Sequence, residues 1–271
     1  MDVSIVIPVF NQAHYTRLCL DSLRRGGLPD SRIIVVDNAS TDDTAACLAA
    51  RPQINVIRNP TNRFCGAWSQ GAKAAAPATW TVILNNDVLI PPGCWEGLTN
   101  FAEQEGFDVV SPAMCEGEQD YDLAAHAKQF VAKMANVKRS GRACGACFMV
   151  HRRVFDAIGY FDEDPRLGGY QDDEFFRRCR RHGFRLAFTG RSFLHHFGSV
   201  TQKAVQVGMN QPNASLGDRF YYRKKLGRTW LKRHQEKWVE KFMSAQWRLS
   251  ERLRYGCTLV AYREGGAFVW R

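Results

Sequence analysis

No apolar run in this chain approaches the roughly 18 residues that a membrane-spanning helix needs. The opening stretch, MDVSIVIPVFNQ, lacks a basic leader and its apolar run is short, so it reads as a first strand and not as a signal peptide. A cysteine framework is missing too. The nine cysteines are scattered and odd in number, which argues against a disulfide framework and for a reducing compartment. Cys144 and Cys147 form a Cys-x-x-Cys, but no second pair stands at zinc-ligand spacing, and small side chains beside a pocket are the simpler reading. No Gly-x-Gly-x-x-Gly follows the first strand and no Walker A motif is present, which disfavours a dinucleotide fold of the dehydrogenase kind. The expectation is a soluble, cytoplasmic protein. Its 271 residues suffice for one large domain, or one domain with an extension.

Acidic residues are scarce in one place only. Residues 1–218 carry 23 Lys+Arg and 23 Asp+Glu, whereas residues 219–254 carry 12 basic and 3 acidic ones. The formal excess of +10 therefore lies in the last fifth of the chain, a localised patch that suits an anionic partner. Seven large aromatics, from Phe220 to Trp247, are interleaved with it. Leu231, Trp238, Phe242, Leu249 and Leu253 recur at heptad-like intervals, and part of that stripe is expected to pack on the remainder of the protein.

Strand and helix patterns alternate about every 25 residues over the first 110. Strands are predicted over 3–10, 33–36, 54–57, 81–84 and 109–110, and helices over 13–25, 43–51, 66–76 and 92–105. Ile33-Ile34-Val35-Val36 is the continuous apolar run of a parallel strand covered on both faces. This is an α/β, Rossmann-like pattern with a mainly parallel sheet. In such sheets ligands bind at the carboxyl ends of the strands. Asn11, Asp37-Asn38 and Asn85-Asn86-Asp87 each follow a strand, so they converge on one sheet edge. A bare buried carboxylate is costly, so Asp87 sits in a turn or faces something positive. Farther on, YQDDEFFRRCRRHGF is an amphipathic helix with an acidic start and a basic end. From Asp218 onward the chain reads as helical, basic and aromatic.

The segments SIVIPVFNQ, IIVVDNASTDDT, NRFCGAWSQG, ILNNDVLIPPG, GACFMVHRRVFDAIGYFDE, YQDDEFFRRCRRHG and HHFGS, in that order, resemble the family 2 inverting glycosyltransferases of the GT-A fold. The resemblance runs from Val3 to Thr201. It implies a catalytic domain over 1–217, with a nucleotide-sugar half (1–110) and an acceptor half (111–217), followed by a helical extension over 218–271. It implies that Asp37 binds the nucleotide base, and that Pro8, Phe10, Asn11, Asn38, Asn62, Gly66, Asn85 and Asn86 line the donor site. Asp87 then corresponds to the carboxylate that holds Mn²⁺ or Mg²⁺ on the donor diphosphate, with His196 or His195 completing the metal site. Asp172 corresponds to the general base, with Asp173 as the alternative. Gln171 and Glu174 occupy positions where the family pattern has Glu and Asp, and with Gly145 and Ala146 they belong to the acceptor and sugar pocket.

The implied activity is transfer of a sugar from a nucleotide sugar, a UDP-sugar foremost, to a glycan or lipid-linked acceptor, with a peripheral membrane position as one option. Two other readings stand beside it. One is sugar transfer to hydroxymethylated DNA, with nucleic acid held through 219–254. The other is a non-catalytic sugar-nucleotide-binding protein, against which the presence of Asp37, Asp87 and Asp172 weighs.

Overall fold

The computed structural model describes residues 2–75, 78–200, 217–227 and 229–270. The predicted helix end at Ala76 and the end of the resemblance at Thr201 lie outside them. In chain order the elements are β1 (Val3–Val9), α1 (Ala13–Arg25), β2 (Ile33–Asp37), α2 (Thr44–Ala49), β3 (Asn55–Arg58), α3 (Gly66–Ala74), β4 (Trp80–Leu84) and β5 (Val88–Leu89). Then come α4 (Cys94–Glu105), β6 (Val109–Gly117), α5 (Leu123–Met134), β7 (Lys138–Ser140), β8 (Cys147–His151), α6 (Arg152–Ile158), α7 (Gln171–Arg181) and β9 (Leu186–His196). The chain closes with α8 (Arg219–Lys225), α9 (Trp230–Tyr255), β10 (Val260–Glu264) and β11 (Ala267–Trp270).

The sheet runs β11-β10-β6-β8-β4-β1-β2-β3, with β5, β7 and β9 joined beside it. The parallel expectation holds for β3-β2-β1-β4. Beyond β4 the sheet is mixed, because β8 runs antiparallel to both β4 and β6. Alternation along β1 divides the core. Ile5 and Ile7 join Leu20, Leu23 and Leu98 on one face, while Val6 joins Trp68, Ile83, Phe148 and Phe175 on the other. Gly71 lets α3 lie directly on β1, since a Cβ there would stand 2.2 Å from Val6 Cγ1.

Two departures from the sequence reading have clear causes. Only the start of β6 was legible, because Pro112 interrupts the strand pattern. The structure absorbs that proline at a register shift between Pro112 and Ala113, and the strand continues to Gly117. The C-terminal extension is not helical throughout. After Gly256 the chain turns back, β10 pairs parallel with β6, and Leu259 and Ala261 are fully buried. The boundary drawn at 218 therefore cuts through one continuous sheet.

Candidate active site

The carboxyl edge of β1, β2 and β4 carries the motif residues, and the backbone there is unusual. Among the described residues, five non-glycines adopt positive φ: Asn11 (56°), Gln12 (64°), Ala39 (66°), Phe64 (47°) and Ser199 (58°). All five lie in loops after strands β1, β2, β3 and β9. Strained backbone of this kind persists where surrounding contacts over-determine it, as at ligand sites. Here the contacts are visible. Asn11 Oδ1 accepts the Thr41 N–H at 2.7 Å, the Asn11 N–H donates to Ser40 Oγ at 2.8 Å, and Asp42 Oδ2 accepts the first N–H of α1 at 2.9 Å. Asn11 thus ties two loops together rather than lining the cleft beside them.

That cleft has a volume of about 200 Å³. Pro8, Phe10, Asn38, Asn62, Asn85, Asn86, Asp87 and Gln171 line it, all of them residues singled out from the sequence. Phe64, Cys65, Trp68, Gly168, Gly169 and Ser199 line it as well, and sequence reasoning missed these. Asp37 and Gly66 stand just behind the lining. Asp37 is buried and its Oδ1 accepts the Ser40 N–H at 3.0 Å, while Gly66 opens α3. Asn38 Oδ1 accepts from Asn59 Nδ2 at 2.9 Å and so fixes the loop after β3.

The turn after β4 sets Asp87. Asn85 N–H donates to the Ala146 carbonyl at 2.9 Å, and Asn86 Nδ2 donates to the buried Thr16 Oγ1 at 3.0 Å. Asp87 therefore emerges at the start of β5, which pairs antiparallel with β9 so that Val88 faces His196. The buried Asp87 does face something positive. Its Oδ1 is 3.3 Å from His196 Nε2, and its Oδ2 accepts the Val200 N–H at 2.8 Å. Burial opposes ionisation of Asp87, but His196 and the Val200 N–H outweigh it and hold the carboxyl below its usual range. Burial likewise opposes charge on His196, yet Asp87 and then Glu116, whose Oε2 is 3.6 Å from Nδ1, push the imidazole up to about 9. Glu116 was missed because it ends the strand that Pro112 obscured.

His195 is turned the other way, as neighbours along a strand must be. Its Nδ1 meets Tyr121 Oη at 3.0 Å, and burial pushes its pKa down to about 4. The structure thus brings His196 to Asp87 and removes His195 from any metal role there. Asp87 Oδ1 and His196 Nε2, 3.3 Å apart, fit a divalent cation as one oxygen and one nitrogen donor. Among the described residues no cluster of three His, Cys, Asp or Glu side chains forms a metal cage.

The acids at the start of α7 part company. Asp172 Oδ1 caps the Asp173 N–H at 2.8 Å, and Oδ2 lies against Gly145, where an added Cβ would stand 2.2 Å away. Burial, above all, pushes the Asp172 pKa up. Asp173 instead pairs with Arg177 at 2.9 Å and with the Tyr222 hydroxyl. Glu174 is buried and pairs with Arg178 at 3.1 Å, whose guanidinium also holds the carbonyls of Ile158 and Tyr160. Glu174 is therefore a brace between α7 and the loop after α6. Gln171 does face the cleft, and its buried Oε1 has no hydrogen-bond partner among the described residues. Ala146 is buried behind the turn of Asn85.

Comparison with known proteins places the chain in a family. The family model "Glycosyl transferase family 2" matches residues 4–159, more than half of the chain. The uncharacterized glycosyltransferase EpsJ of Bacillus subtilis (strain 168) is 32% identical over 112 residues, covering 40% of this chain and 32% of EpsJ. The uncharacterized protein Rv1525 of Mycobacterium tuberculosis (strain ATCC 25618 / H37Rv) is 24% identical over 211 residues, 74% of this chain and 76% of that protein. Among solved structures, S. aureus TarS 1-349 superposes with a TM-score of 0.57 at 17% identity, covering 73% of this chain and 60% of TarS. GalNAc-T7 with UDP, GalNAc and Mn²⁺ gives 0.58 at 17% identity, covering 73% and 44%. This chain thus spans about a third of EpsJ and 60% of the TarS fragment. A family match of that extent, on a sheet whose strand ends carry Asp37, Asp87 and their loops, makes this chain a member of glycosyl transferase family 2 with the GT-A fold.

Proposed function

We propose that this protein transfers a sugar from a nucleotide-sugar donor to an acceptor hydroxyl with inversion at the anomeric carbon. The observation that carries the reading is the buried Asp87–His196 pair on the wall of a cleft lined by Asn38, Asn62, Phe64 and Gln171. The donor is a UDP-sugar foremost. TarS has been solved with UDP-GlcNAc and GalNAc-T7 with UDP and Mn²⁺, which supports that class. Asp87 and His196 would hold a Mn²⁺ or Mg²⁺ that neutralises the charge developing on the diphosphate leaving group. Asp37, at the end of β2, reads the base. Gln171 offers its unpartnered oxygen to a hydroxyl of the donor or acceptor.

Asp172 is the base. Burial raises its proton affinity toward the range in which a carboxylate works as a base, and no cation is paired with it among the described ion pairs. Asp173 is less suited, because Arg177 and Tyr222 already engage it. The acceptor hydroxyl loses its proton to Asp172 as its oxygen attacks the anomeric carbon from the face opposite the diphosphate. Retention of both Asp87 and Asp172 weighs against a purely sugar-nucleotide-binding protein. The acceptor is a glycan or lipid-linked precursor, with hydroxymethylated DNA the runner-up. Eight buried, unpaired cysteine thiols support a cytoplasmic setting.

The test is release of nucleoside diphosphate from a panel of nucleotide sugars with Mn²⁺, followed by NMR of the product. An α-linked donor should yield a β-linked product. A cleanly retained α linkage would contradict the mechanism.

A further inference from the structure

Helix α9 is amphipathic, but its apolar stripe faces away from the protein. Glu236 meets Arg177 at 3.2 Å, Glu240 meets Arg142 at 3.0 Å, and Glu251 makes two 2.7 Å bonds to Arg139. These are all the acids of the helix, and all three are ion-paired to arginines of the domain, on the side away from its apolar stripe. The stripe of Leu231, Trp238, Phe242, Leu249 and Leu253 sits on the opposite side at 3.6 residues per turn, and each of its members is 61–78% exposed. Lys237, Lys241 and Arg248 run along one flank of it, and Lys232 and Arg254 along the other. Lys237, Lys241 and Arg248 also share a groove with Arg142 and Tyr262, between α9 and β10.

We infer that this face of α9 seats the protein on an anionic lipid surface. An apolar centre with cationic borders, on a helix whose three acids are all ion-paired to the domain, is what a bilayer interface selects: the apolar side chains enter the acyl boundary and the cations meet lipid phosphates. A second copy of the chain fits poorly, because pairing two such faces sets cation against cation while the helix's acids are already engaged by Arg139, Arg142 and Arg177. A nucleic acid would take the cations but would leave five large apolar side chains against phosphate and water. The placement also has a use. Helix α8 leads into α9, and its Tyr222 touches Asp173, the neighbour of Asp172. Helix α9 is itself tied to α7, the helix of the proposed base, through Glu236 and Arg177. This extends the reading of a lipid-linked acceptor, but it is tested without donor or acceptor, so it fails or stands separately from that reading.

The experiment is flotation of the full chain with phosphatidylcholine vesicles, with and without phosphatidylglycerol, at low and moderate salt. The protein should float with anionic vesicles and partition at least about tenfold more weakly onto phosphatidylcholine alone. Two variant sets, Trp238→Ser with Phe242→Ser and Lys237→Glu with Lys241→Glu and Arg248→Glu, should each weaken anionic partition about tenfold or more. Their thermal midpoints should stay at the parent value, because every altered side chain is exposed. Three results would overturn the inference. One is no flotation with anionic vesicles at low salt. The second is a lipid-free dimer, by ultracentrifugation, that Phe242→Ser dissolves. The third is duplex DNA binding that displaces vesicles and survives Trp238→Ser with Phe242→Ser.

Discussion

Helix α7 buries Phe175, Phe176 and Cys179 and keeps its acids near the cleft, whereas α9 presses Glu236, Glu240 and Glu251 onto the protein and leaves Trp238 and Phe242 in solvent. Both show a periodic apolar stripe in sequence. The stripe says that a helix has two faces, but not which face meets the protein. For α7 the core decides, because Phe148 and Phe161 wait beneath Phe175. For α9 three arginines decide. Arg139, Arg142 and Arg177 lie on the surface the helix crosses, and pairing them with glutamates turns the apolar side outward. The expectation that part of the stripe of Leu231, Trp238, Phe242, Leu249 and Leu253 packs on the domain fails for that reason.

The largest way to break this comparison is at Glu251. Arg139 and Glu251 are 11% and 5% exposed, and Glu251 also accepts the Leu259 N–H at 3.0 Å. Glu251→Ala should cost about 3–5 kcal/mol, because it strands a buried guanidinium. Urea unfolding measures this, and β10 should loosen first in hydrogen exchange. Next comes Asp172→Asn, which should lower the transfer rate about 10²-fold or more. The same change should not lower stability at neutral pH. Since the folded-state pKa of Asp172 is raised, the folded protein binds that proton more tightly than the unfolded chain does, and stability falls as pH rises through the raised value. An uncharged amide escapes that penalty. A smaller effect is expected of Gly145→Ala, whose methyl would displace the Asp172 carboxylate: about a tenfold loss of turnover with donor affinity retained. Asp173→Asn should do least, a stability loss of about 1 kcal/mol or less from a partly exposed pair. If Asp173→Asn abolished transfer and Asp172→Asn did not, the roles of the two carboxylates would be exchanged.

How much of this was legible in the sequence follows the same physics. The strands β1, β2 and β4 were, because continuous apolar runs closed by Asn or Asp state both burial and chain reversal. The cleft edge was legible with them: Asn38, Asn85, Asn86 and Asp87 all line it. What escaped depends on pairing between distant segments. Glu116 reaches His196 only because β6 and β9 lie side by side, and Pro112 hid the strand that delivers it. His196 stood only just ahead of His195 in sequence, and the register that sets Val88 opposite His196 separates them. The acids at Asp172, Asp173 and Glu174 looked alike as a charged helix start, yet Gly145, Tyr222 and Arg178 give each a different neighbour. The strands β10 and β11 were read as helix because the basic run before them dominated the segment.

The central claim is that Asp87, held at the cleft by β5 and β9, binds the donor diphosphate through a divalent cation. Calorimetric titration of UDP into the protein tests it most directly, with Mn²⁺ and with chelator, in the parent and in Asp87→Ala. The account predicts tight binding only for the parent with Mn²⁺, and a loss of about tenfold or more in the other three arms. Equal UDP affinity in all four would contradict it.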